Sequence, residues 1–551
     1  MNSRLALPMP TIPIDRSPES GESRRQAAET TEATAPAHLA RRLSLRRVLA
    51  VGLVFLLDGS AVAADRFDAI RQSIRTLLTQ RQVPSVAVAV ARNGRIVWEE
   101  GFGWADREKR IPATADTMYS LASVSKPLTA TALMTLVGAG KVDLDKPVNA
   151  YLGSAGLRAR IGDANDATVR RVANHSSGLA EHYQFFYANE PWRRPPFDEI
   201  LRRYGDLVTP PGEHYQYSNL GYGILDYVIA RQAGKSFADY MREDVFLPLG
   251  MTRSAVGPAP GVVQFEAVRY GHDGLPIPLY ETDHDGASAL YASAHDLARF
   301  GLFHLKAHLA DQKAILPDSL IDAMHEQTMD EGNGSGYGIG WEIRHDSGYA
   351  IISHDGDMPG VRTELRLVPS ERLVVVVLCN AEDRIAPMVA DQIMGATLPK
   401  WKAPARRPES PSAKFTPPPD LVGLWEGKVF TYQSEVPITV QVLESGDIKI
   451  RLANQLESLL NFPRYSKDGF LRGVTTGSLE IDDATRRPYV LGLKLKLRSG
   501  NVLDGAITAR ADESSVMPTH GLFPSVAGQP RAERVQSRAF VLAQWTSLIK
   551  Q

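Results

Sequence analysis

Cysteine is nearly absent: Cys379 is the only one in 551 residues. No intramolecular disulfide can form, and the count excludes a Cys₄ or Cys₂His₂ zinc site. Cys379 follows the apolar run Leu373–Leu378, so a small buried strand residue is expected there, with a catalytic thiol as the alternative. An excess of charge of either sign is missing too, with 62 Lys and Arg against 63 Asp and Glu. No global field therefore selects nucleic acid or an anionic membrane as partner. The H-E-x-x-H pattern of a metal hydrolase does not occur, and no solenoid-type repeat is found. The stretch Asp283-His284-Asp285 is the remaining candidate for a cation; the expectation is no metal and no cofactor.

What is present begins with an address. Arg41, Arg42, Arg46 and Arg47 precede the apolar stretch Val48–Leu57, and the small residues Ala61-Val62-Ala63 follow. A basic segment, a short apolar core and a small-x-small site make a signal peptide, which predicts an exported protein, periplasmic or secreted. The apolar stretch is short for a span of about 20 residues, so membrane contact is expected only through an uncleaved signal anchor. The polar segment before it, rich in Pro, Ser, Thr and Glu, reads as disordered. It is long for a leader, which suggests a true start downstream of Met1.

With 43% apolar residues the chain can build roughly two or three cores. Residues 1–63 are read as leader and signal peptide. Residues 64–401 are read as the first domain, 402–420 as a linker and 421–551 as the second domain. The linker reading rests on Pro404, Pro408, Pro411, Pro417, Pro418 and Pro419, a density no helix or central strand survives. The first domain opens with an amphipathic helix over 66–78. Then comes the strand Ser85–Arg92, whose Asn93-Gly94 turn leads back into Arg95–Trp98. Strands at Tyr349–Ser353, Thr363–Val368 and Leu373–Leu378 close it. Helical patterns lie between, at Pro127–Val137, Gly221–Ala233 and His295–His304. The fold class is α+β: an antiparallel sheet flanked by helices, with a helical subdomain. After the linker, Ile438–Leu443, Ile448–Leu452 and Tyr489–Leu497 alternate apolar and polar residues between turns. That pattern predicts a small all-β domain, barrel-like and possibly lipocalin-like, in a supporting or binding role.

Chemistry concentrates at Ser123-Val124-Ser125-Lys126. A serine hydroxyl needs a base, and a lysine three residues along a helix faces it. Burial in the apolar helix that follows would pull the lysine pKa down far enough for it to serve. A second S-x-x-K, Ser547–Lys550, stands at the C-terminus and is read as accidental. The wider stretch Met118–Lys126, MYSLASVSK, with LDKPVNAYL at Leu144–Leu152, resembles the nucleophile segment of the superfamily of serine β-lactamases, DD-peptidases (penicillin-binding proteins) and family VIII-type esterases. The resemblance is to the enzymes related to class C β-lactamases and covers roughly Pro84 to Asn380. It implies that Ser123 is acylated and Lys126 is its partner.

The family's second element is Tyr-x-Asn. Tyr187-Ala188-Asn189 and Tyr217-Ser218-Asn219 both fit. The second is preferred, because Pro211-Gly212, Gly221-Tyr222 and Pro248–Met251 follow the family order around it. The resemblance makes Tyr217 a proton relay, provided nearby cations lower its pKa. It makes Asn219 a contact to both substrate and Lys126. The third element, a basic or polar residue two before glycine, occurs as His-Asp-Gly at His272, His284 and His354. Only His354 ends a strand-like run, so His272 and His284 are expected in loops. Gly356 would let substrate lie along the strand, and the Asp357 N–H would join that of Ser123 in an oxyanion hole. Two further stretches that resemble the family, Asn174–Leu179 and Gly336–Trp341, are expected to be structural. Trp192–Pro196 is expected near the pocket entrance.

The expected function is acyl hydrolysis through Ser123, DD-peptidase-like or esterase-like, on a small molecule or peptide with an acyl bond. Dedicated β-lactamases tend to carry lysine at the His354 position, which ranks that activity lower. The competing reading is a non-catalytic module that captures cell-wall peptides or penicillins.

Overall fold

Val86-Ala87-Val88-Ala89-Val90-Ala91 alternates large and small apolar residues, and a strand sends them to opposite faces. In the computed structural model these residues form the inner strand of a layered core. The structure describes residues 66–257, 263–332, 334–403, 414–511 and 539–551. The signal-peptide stretch and residues 404–413 of the expected linker lie outside them. Ala64–Gln551 pack as one compact unit.

The chain enters through helix α1 (Asp68–Arg81), two to three residues later than its periodicity suggests. The antiparallel pair β1 (Ser85–Arg92) and β2 (Arg95–Asp106) follows. Asn93 and Gly94 both take positive φ, 52° and 78°, the geometry a two-residue turn of this hand requires. Three helices then build the middle: α2 (Ser125–Gly138), α3 (Asn219–Ala233) and α4 (Ala294–His304). The sheet resumes with β3 (Glu342–Asp346), β4 (Tyr349–Met358), β5 (Val361–Val368) and β6 (Leu373–Cys379). Helix α5 (Ile385–Thr397) completes the layer.

From edge to edge the sheet runs Met329–Gly332, Ser335–Tyr337, β3, β4, β5, β6, β1, β2, Ile111–Pro112. The valine face of β1 packs with Ile70 and Ile74 of α1 and Val389 and Ile393 of α5. Its alanine face packs with Leu297 and Phe300 of α4. The small residues let α4 approach closely: a Cβ on Gly301 would stand 2.5 Å from Val374 Cγ1. Both faces are therefore covered, which is why β6 is buried along its whole length, Cys379 included.

The C-terminal residues form a second sheet. Its strands are β7 (Gly423–Phe430), β8 (Glu435–Val442), β9 (Ile448–Leu452), β10 (Asn461–Tyr465) and β11 (Phe470–Thr475), then β12 (Val490–Leu497), β13 (Val502–Ala511) and β14 (Phe540–Lys550). The order is Ser458–Leu459, β9, β8, β7, β14, β13, β12, β11, β10. Both edges come from neighbouring sequence, and Thr475 Oγ1 reaches across to donate to Leu459 O at 2.9 Å. The sheet is thus a nearly closed barrel. Its last strand also pairs with Tyr183–Tyr187 from the helical region, with Phe540 opposite Gln184. That pairing ties the barrel to the helical region.

Candidate active site

Ser123 sits in a single 3₁₀ turn, Ala122–Val124, immediately before α2. Ala122 carries φ of +49°, a left-handed value that costs a residue with a Cβ about 1–3 kcal/mol and is stored where surrounding contacts enforce it. Those contacts are visible. Leu121 N donates to Leu290 O at 2.9 Å, and Thr363 Oγ1 donates to Leu121 O at 2.8 Å. The next helical turn brings Lys126 onto the face of Ser123, as the spacing of three predicts, with Nζ 3.0 Å from Ser123 Oγ.

Tyr217 and Asn219 flank the N-cap of α3. Ser218 accepts from Gly221 N at 3.3 Å, which starts the helix there. Its own N–H donates to His175 Nδ1 at 3.2 Å. The loop so held directs Tyr217 O–H to Ser123 Oγ at 2.8 Å and Asn219 Oδ1 to Lys126 Nζ at 2.8 Å. Lys126 Nζ makes a third contact, 3.1 Å to Ala287 O.

These contacts determine where protons stand. Lys126 is completely buried, and that burial holds its amine well below the ordinary lysine value, against the opposing pull of Asp355 and Glu342. A neutral amine has two N–H groups and one lone pair. Asn219 Oδ1 and Ala287 O only accept, so they take both N–H groups and leave the lone pair facing Ser123. In that neutral form of Lys126 the Ser123 hydroxyl donates to Nζ and receives from Tyr217. Burial also drives the Tyr217 phenol well above its ordinary value; its bond to Ser123 only partly opposes this. The lowering of Tyr217 that a relay through phenolate would need is therefore not found, and the phenol is poised as a proton donor.

His354, Gly356 and Asp357 lie along β4. Burial brings His354 down to about 4, so its ring is neutral at pH 7. Nδ1 lies 2.7 Å from the carbonyl of Asp355 and must donate to it. Nε2 therefore accepts from Tyr337 O–H at 2.9 Å. Both ring nitrogens are engaged inside the protein, and the ring supports the strand beside Ser123. A Cβ on Gly356 would stand 2.3 Å from Leu121 O, so only glycine lets β4 approach the serine turn this closely. Asp357 is held by Arg362 at 3.1 Å. Glu342, His354 and Asp355 bring ligand atoms within 4.8 Å of one another. With His354 already bonded at both nitrogens, this group does not fit a metal as it stands.

The other candidates are elsewhere. Tyr187 is buried against Tyr280, on the strand that pairs with Tyr280–Thr282. Ser547 and Lys550 lie on β14, where a spacing of three sends side chains to opposite faces. His272 is exposed near Glu382. His284 lies in a loop as expected, but an interior one. It is buried against Asp283 directly before the short helix Asp285–Ser288, which supplies Ala287 O to Lys126. Asp283 also accepts from His182 Nε2 at 2.7 Å and Gln184 N at 3.0 Å, so its carboxylate is used internally. Trp192–Pro196 does not line the cleft that contains Tyr217. Arg194 there pairs with Asp285 at 2.7 Å. Sequence reasoning missed Tyr337 and Ala287 as parts of the site, and it did not place the C-terminal sheet at the cleft. Tyr337 stands inside Gly336–Trp341, so its signal was present but read as packing alone.

Comparison with known proteins bears on this arrangement directly. The family model described as Beta-lactamase matches residues 70–395. The chain belongs to the beta-lactamase family. As a member of this family it is a serine hydrolase, related to the β-lactamases and DD-peptidases. It is similar to penicillin-binding protein 4* of Bacillus subtilis (strain 168), 25% identical over 450 residues, which span 75% of this chain and 93% of that protein. It is also similar to a D-aminopeptidase of Gluconobacter oxydans (strain 621H), 26% identical over 362 residues, 64% of this chain and 66% of that one. Among solved structures, a class C beta-lactamase superposes with a TM-score of 0.52 at 19% identity over 62% of this chain and 96% of its own, a likeness of beta-lactamase fold. Among the described residues no helix is long and apolar enough to cross a membrane.

Proposed function

We propose that this beta-lactamase family member is an exported acyl hydrolase in which Ser123 forms an acyl-enzyme with peptides that contain D-amino acids, or with related carboxylic esters. The observation that carries the reading is the convergence on Ser123 Oγ of Lys126 Nζ at 3.0 Å and Tyr217 OH at 2.8 Å. In it, neutral Lys126 takes the Ser123 proton as Oγ attacks the acyl carbon. The bond to the leaving group breaks, Tyr217 gives that group its proton, and Lys126 returns the proton to Tyr217. Asn219 holds Lys126 and contacts substrate, His354 and Gly356 set the strand, and the N–H groups of Ser123 and Asp357 receive the developing oxyanion. Water then attacks the acyl-enzyme with the same base.

Penicillin-binding protein 4* and the D-aminopeptidase support the D-amino-acid side of the proposal. Histidine rather than lysine at position 354 places a dedicated β-lactamase lower. Residues 64–401 carry the chemistry in this reading, and residues 421–551 form an accessory β domain. The segment from Arg41 to Ala63 supports export by a signal peptide, to the periplasm or the medium.

Intact-protein mass spectrometry of residues 64–551 with a fluorophosphonate and, separately, a penicillin tests the proposal. A single adduct that disappears in Ser123→Ala is the expected result. A persistent penicillin adduct points to the DD-peptidase side, and a fluorophosphonate adduct alone to an esterase. Folded protein that neither reagent labels would overturn the acyl-enzyme and favour a binding module.

A further inference from the structure

Three cations stand side by side on one rung of the C-terminal sheet. Arg464 of β10 is opposite Arg472 of β11, and Arg472 is opposite Lys494 of β12. All three line a cleft of about 700 Å³ whose other wall contains Tyr217 and its neighbours Tyr215 and Gln216. Like charges placed directly opposite on neighbouring strands destabilise a sheet. Arg472 finds relief in Asp468 at 2.7 Å, and Arg510, on the same wall, reaches Glu181 at 3.0 Å. Lys494 and Arg464 make no close ion pair among the described residues, although the charges of Asp468 and Glu181 reach Lys494 from farther away. Lys494 Nζ instead donates to Gln216 Oε1 at 2.7 Å, one residue from the tyrosine bonded to Ser123. Arg464, Arg472, Lys494 and Arg510 thus face the cleft against the single carboxylate Glu181, and this positive wall stands across from Tyr217.

We propose that this rung is a carboxylate subsite, in which Lys494, with Arg464 and Arg472 beside it, selects acyl substrates that carry a free carboxylate away from the scissile bond. The inference rests on the acyl-enzyme reading of Ser123 and assigns its substrate class to the C-terminal sheet. Two further observations agree with it. Burial and the neighbouring Arg472 pull the Lys494 amine down to about 8 against the opposing charges of Asp468 and Glu181, so the ammonium stands there at a cost that a bound carboxylate relieves. Phe462, at the same cleft, is 56% exposed with φ of +54°, a rare backbone pose for an aromatic residue.

The test uses the Ser123→Ala protein, which cannot turn substrate over. N-succinyl-D-alanyl-D-alanine amide, whose only carboxylate lies on the acyl side away from the scissile bond, and the analogue in which that carboxylate is converted to its amide are titrated calorimetrically. A charge-assisted contact predicts that the carboxylate form binds at least about 10-fold more tightly. With Lys494→Gln added, that ratio falls towards one, and Lys494→Arg restores it. Arg464→Gln, at an exposed position, lowers the ratio as well and provides the test if Lys494→Gln does not fold. Equal binding of the two forms before any change to the wall, or a preference that survives both glutamine variants, would overturn the subsite. Fluorophosphonate labelling of the wild-type chain needs no carboxylate. Its failure would therefore remove the acyl-enzyme reading and leave the binding ratio to decide on the subsite.

Discussion

Gly356→Ala tests whether the approach of β4 to the serine turn determines reactivity. The added methyl carbon would lie 2.2 Å from Thr363 Oγ1, 2.3 Å from Leu121 O and 3.1 Å from Ala122 Cβ. The Thr363 hydroxyl is held by its bond to Leu121 O, and the carbonyl is backbone, so neither contact yields by a rotamer change. Ordinary contacts between heavy atoms need about 3.5 Å, so strand and turn must separate by about 1 Å. Overpacking of this kind costs about 1–3 kcal/mol of stability. A misplacement of about 1 Å at a reacting centre costs on the order of 100-fold in rate. The assay pairs the second-order rate of fluorophosphonate labelling, read by intact mass, with the thermal midpoint. Val375→Ala is the control, because Val375 is buried on the face of the sheet towards α1 and α5, away from Ser123. It should lose at least as much stability and keep nearly all labelling. Wild-type labelling in Gly356→Ala, or an equal loss in Val375→Ala, would refute the reasoning.

Tyr217→Phe removes the proton that the proposed mechanism gives to the leaving group but keeps the ring, 4.4 Å from that of His175. Turnover of an anilide or peptide should fall about 10²–10⁴-fold, and that of an activated p-nitrophenyl ester much less; equal losses would count against the donor role. Acylation should rise with pH as Lys126 loses its proton and level off well below the ordinary lysine pKa of 10.5; a rate still climbing at that pH would contradict the buried amine. The sign for stability follows from the same shift. Between its depressed folded value and 10.5 the unfolded lysine holds a proton that the folded one has released, so across that window unfolding free energy rises with pH by about 1.4 kcal/mol per unit. Lys126→Met should flatten that slope in denaturant titrations at several pH values. Tyr337→Phe leaves His354 Nε2 without its donor and should cost about 1–3 kcal/mol, measured by chemical unfolding; no loss would mean that the His354 ring turns to another partner.

Local pattern made much of this molecule legible. The Val/Ala alternation and the Asn-Gly turn identified β1 and β2, because period and turn chemistry act over a few residues. The spacing of Ser123 and Lys126 put both on one helical face, but the choice of this pair over Ser547–Lys550, and of Tyr217 over Tyr187, rested on the resemblance of the surrounding segments to the family. What stayed hidden depends on contacts between distant segments. Ala287 contributes only a carbonyl oxygen, which no side-chain pattern announces. Arg464, Arg472 and Lys494 come from three strands, and only the register of those strands puts them on one rung. Burial of His284 followed from Asp283 and from the short helix after it, neither of which marks a triplet as interior.

One physical cause links the two proton-bearing groups. Lys126 and Tyr217 are shut away from water together, with the lysine nitrogen 4.7 Å from the phenol ring and 5.6 Å from that of Tyr222. Desolvation penalises whichever form is charged, so it pushes the amine and the phenol in opposite pKa directions towards the same outcome, both neutral. A neutral amine is a base and a neutral phenol is an acid, so the pocket needs no third titrating group to divide the roles. The fixed acceptors Asn219 Oδ1 and Ala287 O then complete the assignment, because they consume both amine hydrogens and point the lone pair at Ser123. Asn219→Asp should undo this. A carboxylate 2.8 Å from Nζ would favour the ammonium, remove the lone pair and move the rise of acylation to higher pH, whereas a purely structural asparagine would leave the pH profile where it was.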